Sequence, residues 1–294
     1  MGARKVGRVA AVVAWALVAH NPLGAQPPAK ADAPEEPAKL ADALEKAVAW
    51  YDVLPEEGAA ALAPVTALRW RNVARGQDGE AMLVVWPHNG RPVAMASVYP
   101  WDKKIYHEFD SLSRGAKLSA RDGGRVVWTP EEAGVEFKDV PKAPRPAKSA
   151  AERLRQIKAV AEGFQAKMTG WQADSSDQEA LRLLPRPLYR YDLAAARAPD
   201  PTLLDGALFA YVLGTDPEVV LVLEAVGAAD QAVWQYGFAR ATSGGLEVKS
   251  GDAVVWSAKR YPAHSVPTLP HFTIQRPLEK LTPDETPPGS DVNP

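Results

Sequence analysis

The chain has 294 residues and a formal net charge of −2, from 34 Lys and Arg against 36 Asp and Glu. This balance gives no electrostatic argument for a nucleic-acid or anionic-membrane partner. The sequence contains no cysteine, which excludes disulfide bonds, thiolate metal sites and cysteine nucleophiles.

The N-terminus has the layout of an export signal. The basic segment MGARKVGR precedes an apolar run from Val9 to Ala19, which is too short to span a bilayer core of about 30 Å comfortably. Pro22 and small residues follow up to Ala25. We predict a signal peptide over residues 1–25, and therefore a periplasmic or secreted protein with no stable membrane insertion after cleavage. An uncleaved membrane anchor is the alternative.

The composition of two segments predicts that they are unfolded. Residues 26–39 are rich in Pro and Ala and carry charges, a composition typical of a flexible linker. Residues 275–294 are rich in Pro, acidic and poor in apolar side chains, which predicts a disordered tail. The folded body is therefore expected between these two segments.

Two parts of the folded body have similar sequences. RVVW, which ends at Trp128, has a counterpart in AVVW, which ends at Trp256, 128 residues later. Further matches occur in the same order at offsets near this value, which favours an internal repeat. We therefore predict a first repeat over residues 40–140 and a second over residues 141–274.

Each predicted repeat contains short segments rich in β-branched and aromatic residues, separated by Gly, Asn and Asp turns. Such close spacing favours antiparallel meanders over crossover connections. In the first repeat these segments are TALRW, AMLVVW, PVAMASVY, IYHEFDSL, AKLSARD and RVVW. In the second they are LYRYD, ALFAYVLG, EVVLVLEAV, AVWQYGFARA, GLEVKS and DAVVWSA.

A helix is expected before each set of strands. Residues 149–168 carry an apolar stripe at intervals of three and four, with Ser149 and Glu152 in a capping-box pattern and Gly170 beyond the end. Residues 40–54 form a shorter candidate. The predicted fold class is α+β, with two tandem helix-plus-antiparallel-sheet repeats and meander connections.

The segment IYHEFDSLSRG is the most polar of the predicted strands. Because side chains alternate along a strand, His107 shares a face with its apolar neighbours, whereas Glu108 and Asp110 share the opposite face, roughly 7 Å apart. That separation lies in the range for the two carboxyl groups of an inverting glycosidase. His107, Glu108 and Asp110 are therefore the candidate catalytic residues.

The alternative is that this strand is merely polar. The matching positions of the second predicted repeat hold Gln235, Tyr236 and Phe238, so the apolar frame persists while each ionisable group is replaced. We favour a hydrogen-bonded or solvated strand over a catalytic one on this ground.

Few other residues suggest chemistry. The remaining histidines lack the spacing of metal ligands, and no nucleophile elbow, phosphate loop or dinucleotide motif is present, so no metal or other cofactor is expected. Trp101, in YPWDKK, is the candidate ligand-binding residue, because an exposed indole can stack on a sugar ring. Trp128 and Trp256 recur at matching strand ends beside two valines, and we expect both in the core.

The phrases YPWDKKIYHEFDSLSRG, LRLLPRPLYRYD, DGALFAYVLGTDPEVVLVLEA and GDAVVWSAKRYP resemble an uncharacterised family of exported proteins from planctomycete-type bacteria. The likeness runs over about Leu62 to Pro262 and implies export, with no catalytic residues to carry over. The leading interpretation is an exported non-enzymatic binding or structural protein. The alternatives are a periplasmic glycan hydrolase that uses the acids of HEFDS, and an interaction partner of an envelope protein.

Overall fold

The computed structural model describes residues 35–71, 79–115, 117–169, 178–198, 200–228, 230–261 and 266–278. Its two α-helices are α1 (Glu35–Val48) and α2 (Ala150–Ala161). Its first strands are β1 (Asp52–Leu54), β2 (Val65–Trp70), β3 (Ala81–His88), β4 (Arg91–Trp101), β5 (Lys104–Ser111), β6 (Ser119–Asp122), β7 (Arg125–Trp128) and β8 (Lys138–Asp139). The later strands are β9 (Phe164–Thr169), β10 (Gln178–Leu183), β11 (Tyr189–Arg190), β12 (Leu203–Leu213), β13 (Asp216–Val226), β14 (Val233–Arg240), β15 (Gly245–Ser250), β16 (Ala253–Ala258) and β17 (His271–Pro277).

These strands form three sheets. A five-stranded sheet has the order β17-β5-β4-β3-β2, and a three-stranded sheet has the order β1-β6-β7. The nine-stranded sheet runs β16-β15-β9-β10-β12-β13-β14-β8, with β11 also paired to β12. Neighbouring strands are antiparallel, so the predicted antiparallel sheets are confirmed.

The five-stranded and nine-stranded sheets pack face to face. Leu83, Val85 and Met95 from the first sheet share one buried core with Val220 and Val222 from the second. Alternate residues of the same strands point away from this interface, as the period of two along a strand requires. The two sheets are therefore buried on both faces over much of their length.

The outer face of each of these two sheets is covered by a helix together with short strands. On the five-stranded sheet, α1 and the three-stranded sheet pack over Trp86 and Phe109. On the nine-stranded sheet, α2 packs over Phe209 and Leu221. Residues from distant strands of this sheet meet in that second core, where the rings of Phe164 and Phe238 lie 5.2 Å apart.

The predicted fold class is wrong. The protein is mostly β: strands hold 50% of the described residues and helices 12%, and one of the three sheets curls into half a barrel. The two halves are not separate helix-plus-sheet units, because each large sheet takes an edge strand from the other half. β17 pairs with β5, and β8 pairs with β14.

The helix predicted over residues 149–168 is also too long. It begins as expected, since the Ser149 hydroxyl accepts a hydrogen bond from the backbone N–H of Glu152 at 3.2 Å. It ends at Ala161, and Gly163 leads into β9. Phe164 and Met168, four residues apart, share a face in a strand as well as in a helix. Burial of Ala166 between them shows the period of two.

The first helix is displaced from its predicted position. It spans Glu35–Val48 instead of residues 40–54, because Asp52–Leu54 forms β1 and pairs with β6. Its start lies inside the segment predicted as a linker. At the other end, β17 continues to Pro277, past the predicted start of the tail. The predicted signal peptide and most of the tail lie outside the described residues.

Candidate functional site

His107 lies on the face of β5 that packs against α1. Its Nε2 donates a hydrogen bond to the carbonyl oxygen of Ala47 at 3.0 Å, and its ring lies 4.8 Å from that of Tyr51 and 5.6 Å from that of Trp50. Burial lowers the pKa of His107 to about 4, although the hydrogen bond to Ala47 acts in the opposite direction. The neutral imidazole is therefore a packing group between helix and sheet.

Glu108 and Asp110 lie on the other face of β5, at the interface between the two large sheets. The Tyr99 hydroxyl donates a hydrogen bond to Oε1 of Glu108 at 2.9 Å. Oδ1 of Asp110 lies 2.7 Å from Nδ1 of His271, the residue directly opposite it on β17. The strand thus separates His107 from the two acids, while β17 supplies a different histidine.

The acid–histidine cluster, defined here as Glu108, Asp110 and His271, is shielded from solvent. The side chain of Asp110 is 2% exposed and that of His271 is 3% exposed, and Glu108 is partly buried. Oδ2 of Asp110 and Nε2 of His271 are both buried without a hydrogen-bond partner. Neither group is placed to contact a large substrate.

Burial dominates the electrostatics of this cluster. It raises the pKa of Glu108 from 4.5 to about 7, against the opposing effects of the His271 charge and the Tyr99 hydrogen bond. Burial would lower the pKa of His271, yet the charge and hydrogen bond of Asp110 raise it above the ordinary value. Burial also raises the pKa of Asp110 above its ordinary value, against the opposing charge and hydrogen bond of His271.

A cation and an aromatic ring lie beside this cluster. The guanidinium of Arg240 stacks 3.7 Å from the ring centroid of Tyr261 and donates hydrogen bonds to the carbonyl oxygens of Thr242 and Lys259. The Tyr261 ring lies 6.0 Å from that of His271. These contacts join β14 and its following segment to β17, so the polar groups hold distant parts of the chain together.

Glu224 forms a second buried ionic group between the halves. Arg91 donates to its two carboxylate oxygens at 2.9 and 3.1 Å, Arg114 donates at 2.5 Å, and the Tyr191 hydroxyl donates at 2.9 Å. An acid buried in a sheet requires such complete pairing. The sequence carried one signal for it, since Glu224 is the sole charge inside the apolar run VVLVLEAV.

Asp205 forms a third buried ionic group, inside the second half. Arg153 of α2 donates to it at 2.8 Å, and Arg190 of β11 donates at 2.6 and 3.2 Å. Like Glu224, this acid is held by two arginines from different elements. Its role is to fix α2 against β12.

An open depression of about 510 Å³ lies on the outer face of the three-stranded sheet. Ser119 and Arg121 of β6 line it together with Val126 of β7. Charged and hydroxyl side chains from the adjoining loops complete the wall; these are Glu56, Glu57, Lys117 and Thr129. Sequence reasoning missed this feature, because the residues that form it are distributed over three segments.

Trp101, the predicted ligand-binding residue, is 45% exposed. It ends β4, and the following Asp102 and Lys103 adopt positive φ angles of 45° and 58° in the turn to β5. Of the two tryptophans expected in the core, Trp128 is buried, whereas Trp256 is only partly buried. Trp101 is far along the strand from the acid pair, so the structure does not bring the predicted binding and catalytic residues together.

Among the described residues, no group of three or more His, Asp or Glu side chains is arranged to hold a metal ion. Within the same ranges, neither helix has the length and apolarity needed to cross a bilayer. His20 and His264 lie outside the described residues.

Comparison with known proteins found no matching family model, no similar curated protein and no similar solved structure. The predicted resemblance to exported planctomycete proteins remains a prediction.

Proposed function

We propose that this protein is an exported, non-enzymatic binding or structural protein. The observation that carries this proposal is the position of Asp110, which is shielded from solvent and bonded to His271 at 2.7 Å. The most polar stretch of the sequence thereby joins two paired strands of one sheet, β5 and β17, in the interior. The ionic group around Glu224 has the same character.

The presence of two acids on one strand is not sufficient for the glycan-hydrolase alternative. A glycosidase places two carboxyl groups on either side of an accessible glycosidic bond, with room for a water molecule in an inverting enzyme. Here Glu108 accepts a hydrogen bond from a tyrosine, and Asp110 is hydrogen-bonded to a histidine. Both acids lie within the interface between the sheets. A sugar chain would reach them only if the two sheets separated.

A turnover assay tests the absence of catalysis. The full chain is incubated with peptidoglycan and soluble polysaccharides, beside the double variant Glu108→Gln/Asp110→Asn, and release of reducing ends is measured. We expect no release above the buffer control with either protein. Release by the wild type that disappears in the double variant would refute the proposal.

Export rests on the N-terminal pattern of a basic segment, an apolar run and small residues before Gln26. The full-length chain is expressed in a Gram-negative host, and the mature N-terminus is sequenced from the periplasmic fraction. We expect it to begin at Gln26. A full-length cytoplasmic product, with none in the periplasm, would contradict export.

A further inference from the structure

We propose that the depression on the three-stranded sheet binds the two charged ends of a short peptide in extended form. This inference rests on the proposed binding role and names a site and a ligand class for it. The cavity volume, about 510 Å³, lies within the range of small-ligand sites. The argument rests on how charge is distributed around it.

The four charged side chains that line the depression are Glu56, Glu57, Lys117 and Arg121. Within the described part of the chain, none of them makes an ion pair or a side-chain hydrogen bond. This contrasts with the acids of the interior, each of which is bonded to a histidine, a tyrosine or arginines. Opposite charges therefore face one cavity without forming ion pairs with each other.

Arg121 stands out among these groups. Its Nε is shielded from solvent and has no hydrogen-bond partner, and an unsatisfied buried donor is costly. Asp52, the residue directly opposite on β1, is exposed and makes no ion pair with it. Because Nε is shielded, the two terminal nitrogens of the guanidinium are the donors that can bind a carboxylate through parallel hydrogen bonds.

The strand register orders the charges along the depression. Leu54 of β1 pairs with Ser119 of β6, so the loop that carries Glu56 and Glu57 lies beside Lys117, two residues before β6 begins. Arg121 lies four residues beyond Lys117, about 13 Å away for an extended chain. The acidic end carries one net negative charge and the Arg121 end one positive charge, which matches the ammonium and carboxylate ends of a zwitterion.

The spacing selects the length of the ligand. An extended chain covers about 3.3–3.6 Å per residue, so a tripeptide with its charged ends spans most of the distance between the two poles. Ser119 and Thr129 supply hydroxyls between the poles that can bond to peptide groups. Val126, which is 46% exposed, offers an apolar contact for a small side chain.

The test uses trialanine as the probe, titrated into the full chain at low salt and followed by ligand-observed NMR. N-acetyl-trialanine lacks the ammonium group, and trialanine amide lacks the carboxylate. We expect trialanine to bind the wild type about tenfold more tightly than either blocked peptide, since each lacks one charge-assisted contact. Equal affinity for all three peptides, or no binding of trialanine at 10 mM, would overturn the site.

Variants assign each end of the peptide to its residues. Arg121→Gln should remove the preference for trialanine over its amide and retain the preference over the acetylated form. Glu56→Gln/Glu57→Gln should produce the reverse pattern. Arg125→Gln and Glu131→Gln are the matched controls, because both residues are exposed and neither lines the depression. A control that weakens binding as much as Arg121→Gln would overturn the assignment.

The two proposals fail in different experiments. Comparison of the three peptides on the wild type needs no variant to fold and does not depend on turnover. Indifference to the peptide ends refutes this site alone. Glycan cleavage that depends on Glu108 and Asp110 would refute the non-enzymatic role.

Discussion

Glu108→Gln tests whether burial controls the ionisation of the acid–histidine cluster. The substitution keeps the shape of the side chain and an oxygen that can accept from Tyr99, now 2.9 Å from Oε1, but removes the negative charge. Because burial raises the folded-state pKa of Glu108 above its unfolded value, its protonated form favours folding. This contribution is complete below the unfolded pKa of 4.5 and is lost as the pH rises through about 7.

The magnitude follows from the size of the pKa displacement. A change from 4.5 to about 7, at about 1.4 kcal/mol per pH unit, gives an upper limit of about 3.5 kcal/mol. Glu108 is partly accessible, so about 2–3 kcal/mol is expected. The gain in unfolding free energy caused by Glu108→Gln should therefore be about 2–3 kcal/mol larger at pH 8 than at pH 4.

His107 has the opposite pH dependence. Its folded-state pKa is lowered from 6.5 to about 4, so its contribution to stability is present above pH 6.5 and is lost as the pH falls through about 4. In the wild type, the pH dependence that His107 gives to the unfolding free energy opposes that of Glu108 between pH 4.5 and 6.5. In Glu108→Gln only the pH dependence from His107 remains, so the unfolding free energy should fall more steeply on acidification than in the wild type.

Urea unfolding followed by tryptophan fluorescence measures these differences, because Trp86, Trp128 and Trp234 are buried. Curves for the wild type and Glu108→Gln are recorded at pH 4, 5.5, 7 and 8. The exposed acid Glu131 provides the control variant Glu131→Gln. A difference between wild type and Glu108→Gln that is the same at pH 4 and pH 8 would refute the burial argument.

Three further substitutions, two of them paired with a control substitution, test the interior contacts with the same unfolding assay. Gly134→Ala would place a Cβ 1.7 Å from a backbone oxygen at the end of β5 and should cost more than about 3 kcal/mol. Gly115→Ala, which meets open space, should change stability by less than about 0.5 kcal/mol; equal effects would contradict the geometry. Glu224→Ala leaves two arginines and a tyrosine without their shared acceptor and should cost about 3–5 kcal/mol, so a loss below about 1 kcal/mol would show that this group does not join the halves. Trp128→Ala should cost about 3–5 kcal/mol, whereas Trp101→Ala at the surface should cost less than about 1 kcal/mol.

Local sequence determined the strands and several of their boundaries. The Asn89-Gly90 pair joins β3 to β4 with positive φ angles of 51° and 81°, a conformation that these two residue types adopt at low cost. Ser149 begins α2 because its hydroxyl caps an otherwise unpaired N–H. Such signals act over a few residues and can be read without knowledge of the fold. The end of α2 was missed because a spacing of four residues fits a strand as well as a helix.

The alternation of β5 could also be read from the sequence, which separated His107 from Glu108 and Asp110. The partners of these residues could not. His271 meets Asp110 only because β17 pairs with β5 across 161 residues of chain, and no local pattern in HFTIQRP indicates that pairing. The α+β prediction failed for the same reason, since it assigned each strand to the half of the chain that encodes it.

The sequence alone therefore determined the local features of this protein, which are the turns, the helix cap and the strand period. Tertiary structure decided which strands became neighbours, and so turned HEFDS into an interior joint and brought Glu56, Lys117 and Arg121 around one depression. Dihedral and capping preferences act within a few residues of one another. The pairing of distant strands depends on hydrogen bonds and buried surface summed over whole sheets, which only the complete fold supplies.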